Sequence, residues 1–362
     1  MPVFKTPKNY ISGAGILQSA GELVAAISKN ALVVGGEKAI REVQDSFMKS
    51  LDEAGVKTEI SIFKGYCTEE NIDKIKQHAK KAEIIIGVGG GSVLDAAKAA
   101  GDDENKTVIT VPTVAATCAA WSALSVFYDK DGRATGHQLL KQAPALVLAD
   151  LALLAQAPKR FLIAGIIDTL AKWYELKPHE EYERESVAFH ISLSTSKLAL
   201  ELIAQHAEKA ILANEQREVN ASFETVVDSI IELAGLVGSI TNGTPRAVLA
   251  HSLHNGLTQF KGAHQSLHGE LVGYGLIVQL FLEGKEAEAK QLSERIDEWG
   301  APVTLDELGL KDTSEEIKQI INEVKLRKQA LDQLTFIVDQ QSFIKAVEKA
   351  EKVGKTKKIE SL

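Results

Sequence analysis

Four histidines fall within the twenty residues from Ala250 to Gly269, AHSLHNGLTQFKGAHQSLHG. His251 and His254 are three apart and His264 and His268 four apart, so each pair can share one face of a helix. Neutral imidazole is the commonest metal ligand, and two such pairs could supply two of the three or four ligands that Zn²⁺ or Fe²⁺ requires. Spacing alone does not choose among the four, and some can equally be half-buried polar residues at helix ends. A catalytic centre would also need a carboxylate from elsewhere and an open coordination position.

A second stretch with chemical potential is GVGGGSVLDAAK, Gly87 to Lys98. Here an apolar run delivers three successive glycines to the start of a helical pattern. Backbone without Cβ can approach a pyrophosphate, whose charge is met by free N–H groups and the positive end of the helix. Ser92 and Asp95 have capping-box-like spacing, which predicts that they fix the helix start. The spacing is not G-x-G-x-x-G, so this is a phosphate cradle of another kind or a variant of the dinucleotide fold.

Both stretches depend on the elements around them. Between Ala31 and about Leu148 short apolar runs alternate with helical stretches: strands at 31–36, 56–63 and 107–112 and a strand running into a glycine loop at 83–92, with helices at 38–54, 68–81 and 93–100. That alternation predicts a parallel sheet with helices on both faces and a ligand beyond the carboxyl ends of its strands. After Pro158 the strand-like runs give way to long amphipathic helices, for example 186–213, 223–240 and 314–329, with a last helix ending in a solvated lysine run. The expected fold is therefore an α/β Rossmann-like domain, residues 1–158, followed by an all-α domain, residues 159–362.

The 362 residues carry a formal net charge of -8, which argues against nucleic acid or an anionic membrane as partner. Cys67 and Cys118 are the two cysteines and cannot form a disulfide framework. The first residues lack the order of a signal peptide, and no apolar run reads as a bilayer span. These features predict a soluble, reduced, cytoplasmic protein with a small-molecule substrate.

The segments GVGGGSVLDAAK, VPTVAATCAAWSALSVFYDKDG at 111–132, AGIIDTLAKWYE at 164–175, AHSLHNGLTQ and LHGELVGYG together carry a more specific message. The chain resembles the glycerol dehydrogenase branch of the iron-containing, or group III, alcohol dehydrogenases over nearly its whole length. Within that branch it is most similar to bacterial hydroxycarboxylate dehydrogenases, through CAAWSALSV and DTLAKWYE. The resemblance implies a cleft between the two domains holding NAD or NADP and a divalent metal, zinc ahead of iron, in a homo-oligomer. It implies Asp168, His254 and His268 as metal ligands, with His251 and His264 behind them or at the surface. Implied cofactor contacts are Gly89, Gly90, Gly91, Ser92 and Asp95 near the pyrophosphate and ribose, with Thr113, Ser122, Leu124 and Tyr128 further along.

Three departures from the family patterns bear on the metal, the cofactor and the substrate. Where the larger iron-dependent group has a histidine four residues after the aspartate, this chain has Lys172. Where glycerol dehydrogenases end the first strand in Gly-Asp, it reads Gly35-Gly36-Glu37-Lys38, so NADP is an acceptable cofactor. Where they place an aspartate beside the polyol, it has Cys118. Cys118 and Lys172 thus become substrate-contact candidates, joined by Arg246 as a second carboxylate-binding cation, Trp121 as a wall of the substrate pocket and His137 as a proton relay. The expected activity is hydride transfer between small 2-oxo acids and 2-hydroxy acids, with oxidation of glycerol or another small polyol as the alternative. A lyase of the dehydroquinate synthase kind and a non-catalytic binding protein are the remaining rivals.

Overall fold

The computed structural model describes residues 3–241 and 248–360. Among the described residues there are ten strands: β1 Val3–Phe4, β2 Asn9–Gly13, β3 Asn30–Gly35, β4 Lys57–Ile62, β5 Ile84–Gly89, β6 Thr107–Pro112, β7 Leu124–Tyr128, β8 Ala134–Leu139, β9 Leu146–Asp150 and β10 Ile240–Thr241. Six of them form one parallel sheet in the order β2-β9-β6-β5-β3-β4. Its inner strands are apolar runs: β5 and β9 are buried along their whole length, and β3 and β6 at every residue but the first. Helices on both faces demand that pattern. The strand order reverses between β3 and β5, so the crevice beyond Gly35 and Gly89 is the topological switch point where such sheets bind ligands.

Sequence periodicity located β3 to β6 but not β2 or β9, which complete the sheet from the two ends of the first 150 residues. Asp150 explains their union. Its carboxylate caps the helix Leu151–Leu154 through the N–H groups of Ala152 and Leu153, and also accepts from Gly15 and Leu17 just after β2. The expected helix 38–54 is divided into Glu37–Glu42, a π-turn at Gln44–Met48 and Lys49–Glu53. The expected 314–329 helix stops at Glu323, and residues 324–327 are irregular.

Two helices at the centre of the C-terminal half set up the site. In Lys159–Leu176 every residue from Leu162 to Ala171 is buried, Asp168 included. His268–Leu282 is likewise buried from Gly269 to Phe281. A helix that is apolar all round is an interior helix. The longest helix, Val187–Gln216, is by length and composition apolar enough to cross a membrane, which corrects the reading that no run reaches that length. In this fold one side of it packs on Lys159–Leu176, Ala221–Asp228 and Ala234–Ser239.

The two central helices cross at backbone contact. A Cβ on Gly269 would lie 1.9 Å from the carbonyl oxygen of Ala164, so only glycine lets His268 approach Asp168, one helical turn beyond Ala164. Neither partner in that clash is a flexible side-chain end. Gly269→Ala should therefore separate the helices and cost roughly 3 kcal/mol, read as a lowered urea midpoint. An unchanged midpoint would show that the crossing tolerates a methyl group.

Candidate metal centre and dinucleotide cleft

Asp168 is 2% exposed and carries three contacts on one oxygen. Its Oδ1 lies 3.3 Å from Lys172 Nζ, 3.4 Å from His251 Nε2 and 3.4 Å from His268 Nε2. Burial alone would raise its pKa, but Lys172 and the two imidazoles together hold it well below the usual carboxylate range. The ligand atoms of Asp168, His251 and His268 lie within 4.8 Å of one another, forming a group able to hold a metal ion.

His251 is aimed from behind. Its Nδ1 meets Oε2 of Glu175, a buried carboxylate whose other oxygen accepts the N–H groups of Val248 (2.8 Å) and His251 itself (3.2 Å) at the start of the helix Ala250–Leu257. This fixes the ring so that Nε2 faces Asp168. Burial would depress the pKa of His251, but Glu175 and Asp168 carry it up to about 9. A carboxylate behind a histidine is the arrangement that orients metal-ligating imidazoles.

His254, the ligand expected from the resemblance, sits differently. It is 2% exposed, its Nδ1 is paired with Asn255 Oδ1 at 3.0 Å, and its Nε2 meets Nδ1 of His268 at 3.0 Å rather than Asp168. Burial and the neighbouring imidazoles hold its pKa well below the usual range. His264 Nε2 bonds the carbonyl of Thr258 at 2.9 Å and serves the turn, although it also borders the cleft. Arg246 lies outside the described residues.

A cleft of about 1340 Å³ opens above these groups. It is lined by all nine expected cofactor residues, Gly89, Gly90, Gly91, Ser92, Asp95, Thr113, Ser122, Leu124 and Tyr128, and by Cys118, His137, Asp168, Lys172, His251, His254 and His268. Gly89 has φ +146, and a Cβ there would lie 2.5 Å from Val93 Cγ1. The helix Gly91–Asp103 starts at Gly90 with no side-chain cap, so the expected capping box of Ser92 and Asp95 is not formed. Its first N–H groups are therefore left for an anion, the cradle a pyrophosphate needs.

Asp95 is instead committed to packing. Its Oδ2 accepts the N–H of Val126 at 3.0 Å and its Oδ1 pairs with Lys98 Nζ at 2.9 Å. Lys98 is 2% exposed and donates further to Leu124 O, Ser122 O and Ser122 Oγ. Burial raises the pKa of Asp95 and Lys98 opposes the rise. The pair thus clamps β7 and the segment before it, with cleft residues Ser122 and Leu124, onto the glycine-loop helix. Sequence reading passed over Lys98, though a lysine three residues after an aspartate in the apolar run VLDAAKAA was the available signal. Trp121 proves to be core: 7% exposed, it donates Nε1–H to Ser239 Oγ at 3.0 Å, packs edge-on against Tyr10 and does not line the cleft.

The residues fit both groups that such a cleft implies. One carboxylate and two imidazoles suit a divalent ion with an open position, and a side-chain-free loop at an uncapped helix start suits a dinucleotide. Comparison with known proteins agrees. Residues 7–151 match the family described as iron-containing alcohol dehydrogenase. The chain is 35% identical over 320 residues to a glycerol dehydrogenase of Escherichia coli O6:H1, covering 86% of this chain and 85% of that one. It is 33% identical over 307 residues to hydroxycarboxylate dehydrogenase A of Escherichia coli K12, covering 83% and 84%. The crystal structure of glycerol dehydrogenase from Schizosaccharomyces pombe superposes with a TM-score of 0.90 at 26% identity, covering 99% of this chain and 92% of that chain.

Breaking the buried Asp95–Lys98 pair on one side leaves an uncompensated charge. Lys98→Met should destabilise the protein by about 3–5 kcal/mol, whereas the double variant Asp95→Asn, Lys98→Met should recover much of that loss. Urea denaturation at neutral pH reads both, and equal losses in the single and double variants would show that the pair does not act as a unit.

Proposed function

Because the chain belongs to the iron-containing alcohol dehydrogenase family, in its glycerol dehydrogenase branch, we propose that this CH–OH dehydrogenase interconverts small 2-oxo acids and 2-hydroxy acids. Residues 1–158 are the dinucleotide-binding domain in this reading and residues 159–362 the metal and substrate domain. The metal is held by Asp168, His251 and His268. His251 takes the place first given to His254 because Glu175 aims its Nε2 at Asp168, while Nε2 of His254 is turned to His268. Zinc is preferred to iron, since Lys172 stands where the iron-dependent group has a further histidine.

The observation that carries the substrate reading is the position of Lys172. Its ammonium lies in the cleft, 14% exposed and 3.3 Å from Asp168 Oδ1. Asp168 and the carboxylate behind His251 exceed that charge by one unit, less than a divalent ion brings. A divalent ion would leave the pocket with excess positive charge, which a substrate carboxylate balances and a neutral polyol does not. Cys118, also in the cleft, has its thiol pushed up by burial, so it adds no anion to repel such a substrate. This differs from a polyol pocket, where an aspartate would occupy that place.

When bound, the metal supplies Lewis acidity toward the substrate oxygen and the nicotinamide supplies or accepts the hydride. The chain's own residues do the positioning. Lys172 orients the carboxylate, Gly89, Gly90, Gly91 and Ser92 anchor the pyrophosphate, and Thr113, Ser122, Leu124 and Tyr128 guide the cofactor toward the metal end. Asp95 acts through Lys98 and Val126 by holding β7. At the adenosine end Gly36 offers no carboxylate, Glu37 is paired with Lys64 at 2.9 Å, and Lys38 borders the cleft, so NADPH is accepted alongside NADH.

The second reading, glycerol oxidation, is favoured by the name of the 35% identical relative. Paired kinetics with NADH and NADPH on 2-oxobutanoate and dihydroxyacetone decide between them. The wild type should prefer the oxo acid, and Lys172→Met and Cys118→Asp should each lower the acid-to-ketone ratio of kcat/KM by about tenfold or more. A wild-type preference for dihydroxyacetone, or an unmoved ratio in both variants, would return the protein to the polyol dehydrogenases.

A further inference from the structure

The mouth of the cleft carries cations that the reading above leaves unused. Lys325 and Arg327 lie on the irregular segment 324–327, are exposed, and line the cleft. Among the described residues neither takes part in an ion pair. Glu323 is the acidic residue that this segment's approach contributes to the lining, so two cations stand there against one carboxylate. The segment is seated firmly: a Cβ on Gly256 would lie 3.0 Å from Val324 Cγ2 and 3.4 Å from Val324 N, so it packs against the helix that carries His251 and His254.

His137 on β8 also lines the cleft, and desolvation and the nearby charge of Arg327 lower its pKa from the ordinary imidazole value. The helix Ala250–Leu257 and the turn that follows it present Asn255, Thr258 and Gln259 to the cleft, all neutral groups. Thr258 Oγ1 accepts the N–H of Ala134 at 3.2 Å, which ties that turn to the start of β8. The cleft therefore has Lys172 beside the metal-ligating group, neutral polar groups along one wall, and the exposed cations Lys325 and Arg327 on the 324–327 segment.

We propose that Arg327, assisted by Lys325, binds a second, distal carboxylate of the substrate, so that the preferred substrates are 2-oxo and 2-hydroxy dicarboxylates. This rests on the oxo-acid reading above, with Lys172 taking the carboxylate next to the reacting carbon. Arg327 is suited to the distal group because its planar fork bonds a carboxylate in two places, whereas an entrance lysine alone would act as a point charge.

The test uses the full-length metal-loaded enzyme with 2-oxoglutarate and 2-oxobutanoate as substrates, and with glutarate and butanoate as inhibitors of dihydroxyacetone reduction. Wild type should show a lower KM for the dicarboxylate and tighter inhibition by glutarate than by butanoate. Arg327→Met should raise the KM for 2-oxoglutarate and the inhibition constant of glutarate about tenfold or more, leaving the KM values for 2-oxobutanoate and NADH within about twofold of wild type. Arg327→Lys should recover part of the loss. Glutarate no better than butanoate, equal shifts for both oxo acids, or a shift confined to NADH would overturn the proposal. Arg327-dependent glutarate inhibition in an enzyme that reduces neither oxo acid would leave the anion subsite standing and overturn the oxo-acid reading instead.

Discussion

A single buried carboxylate oxygen organises the functional half of this protein. Asp168 Oδ1 draws two imidazoles and an ammonium toward it from three directions, and an isolated buried charge would be prohibitively costly without them. Everything nearby serves that convergence. The carboxylate rides on a helix buried on all sides, His268 arrives on a second helix through the Gly269 crossing, and His251 is turned inward by Glu175. These groups would repel or scatter if the helices did not hold them, so packing supplies the geometry and the charges supply affinity for an ion.

The parallel sheet contributes the other half by the same logic. At the carboxyl end of the buried strand β5 the glycine loop exposes helix N–H groups with no side chain competing for them. The Asp95–Lys98 pair then fixes β7 as the cleft's second wall. Cations line the cleft at two places, Lys172 beside Asp168 and Lys325 with Arg327 on the 324–327 segment. On the proposed reading that distribution attracts an acid rather than a neutral polyol.

Much of this was legible in the sequence because local rules govern it. Apolar runs of strand length identified β3 to β6, and the histidine cluster and glycine loop stood out by composition. The strands β2 and β9 escaped because their pairing is fixed by Asp150 reaching back to Gly15 and Leu17, a long-range contact with no periodic signature. Which of His251 and His254 turns its Nε2 to Asp168 also lay beyond spacing, since both share a helix face. It depends on Glu175, which comes from 76 residues earlier. The capping box of Ser92 and Asp95 was a local pattern overridden by a tertiary demand: Asp95 is needed by Lys98 and Val126. Arg327 was invisible for a related reason, as only the fold brings the 324–327 segment to the cleft mouth.

The account stands or falls on which side chains hold the ion. Crystals of the zinc-loaded protein, measured on either side of the zinc absorption edge, would locate the metal directly. We expect one anomalous peak about 2.0–2.2 Å from a carboxylate oxygen of Asp168 and from Nε2 of both His251 and His268, with Glu175 still on Nδ1 of His251. A peak coordinated by His254 with His251 turned away, or no peak between the two central helices, would contradict it.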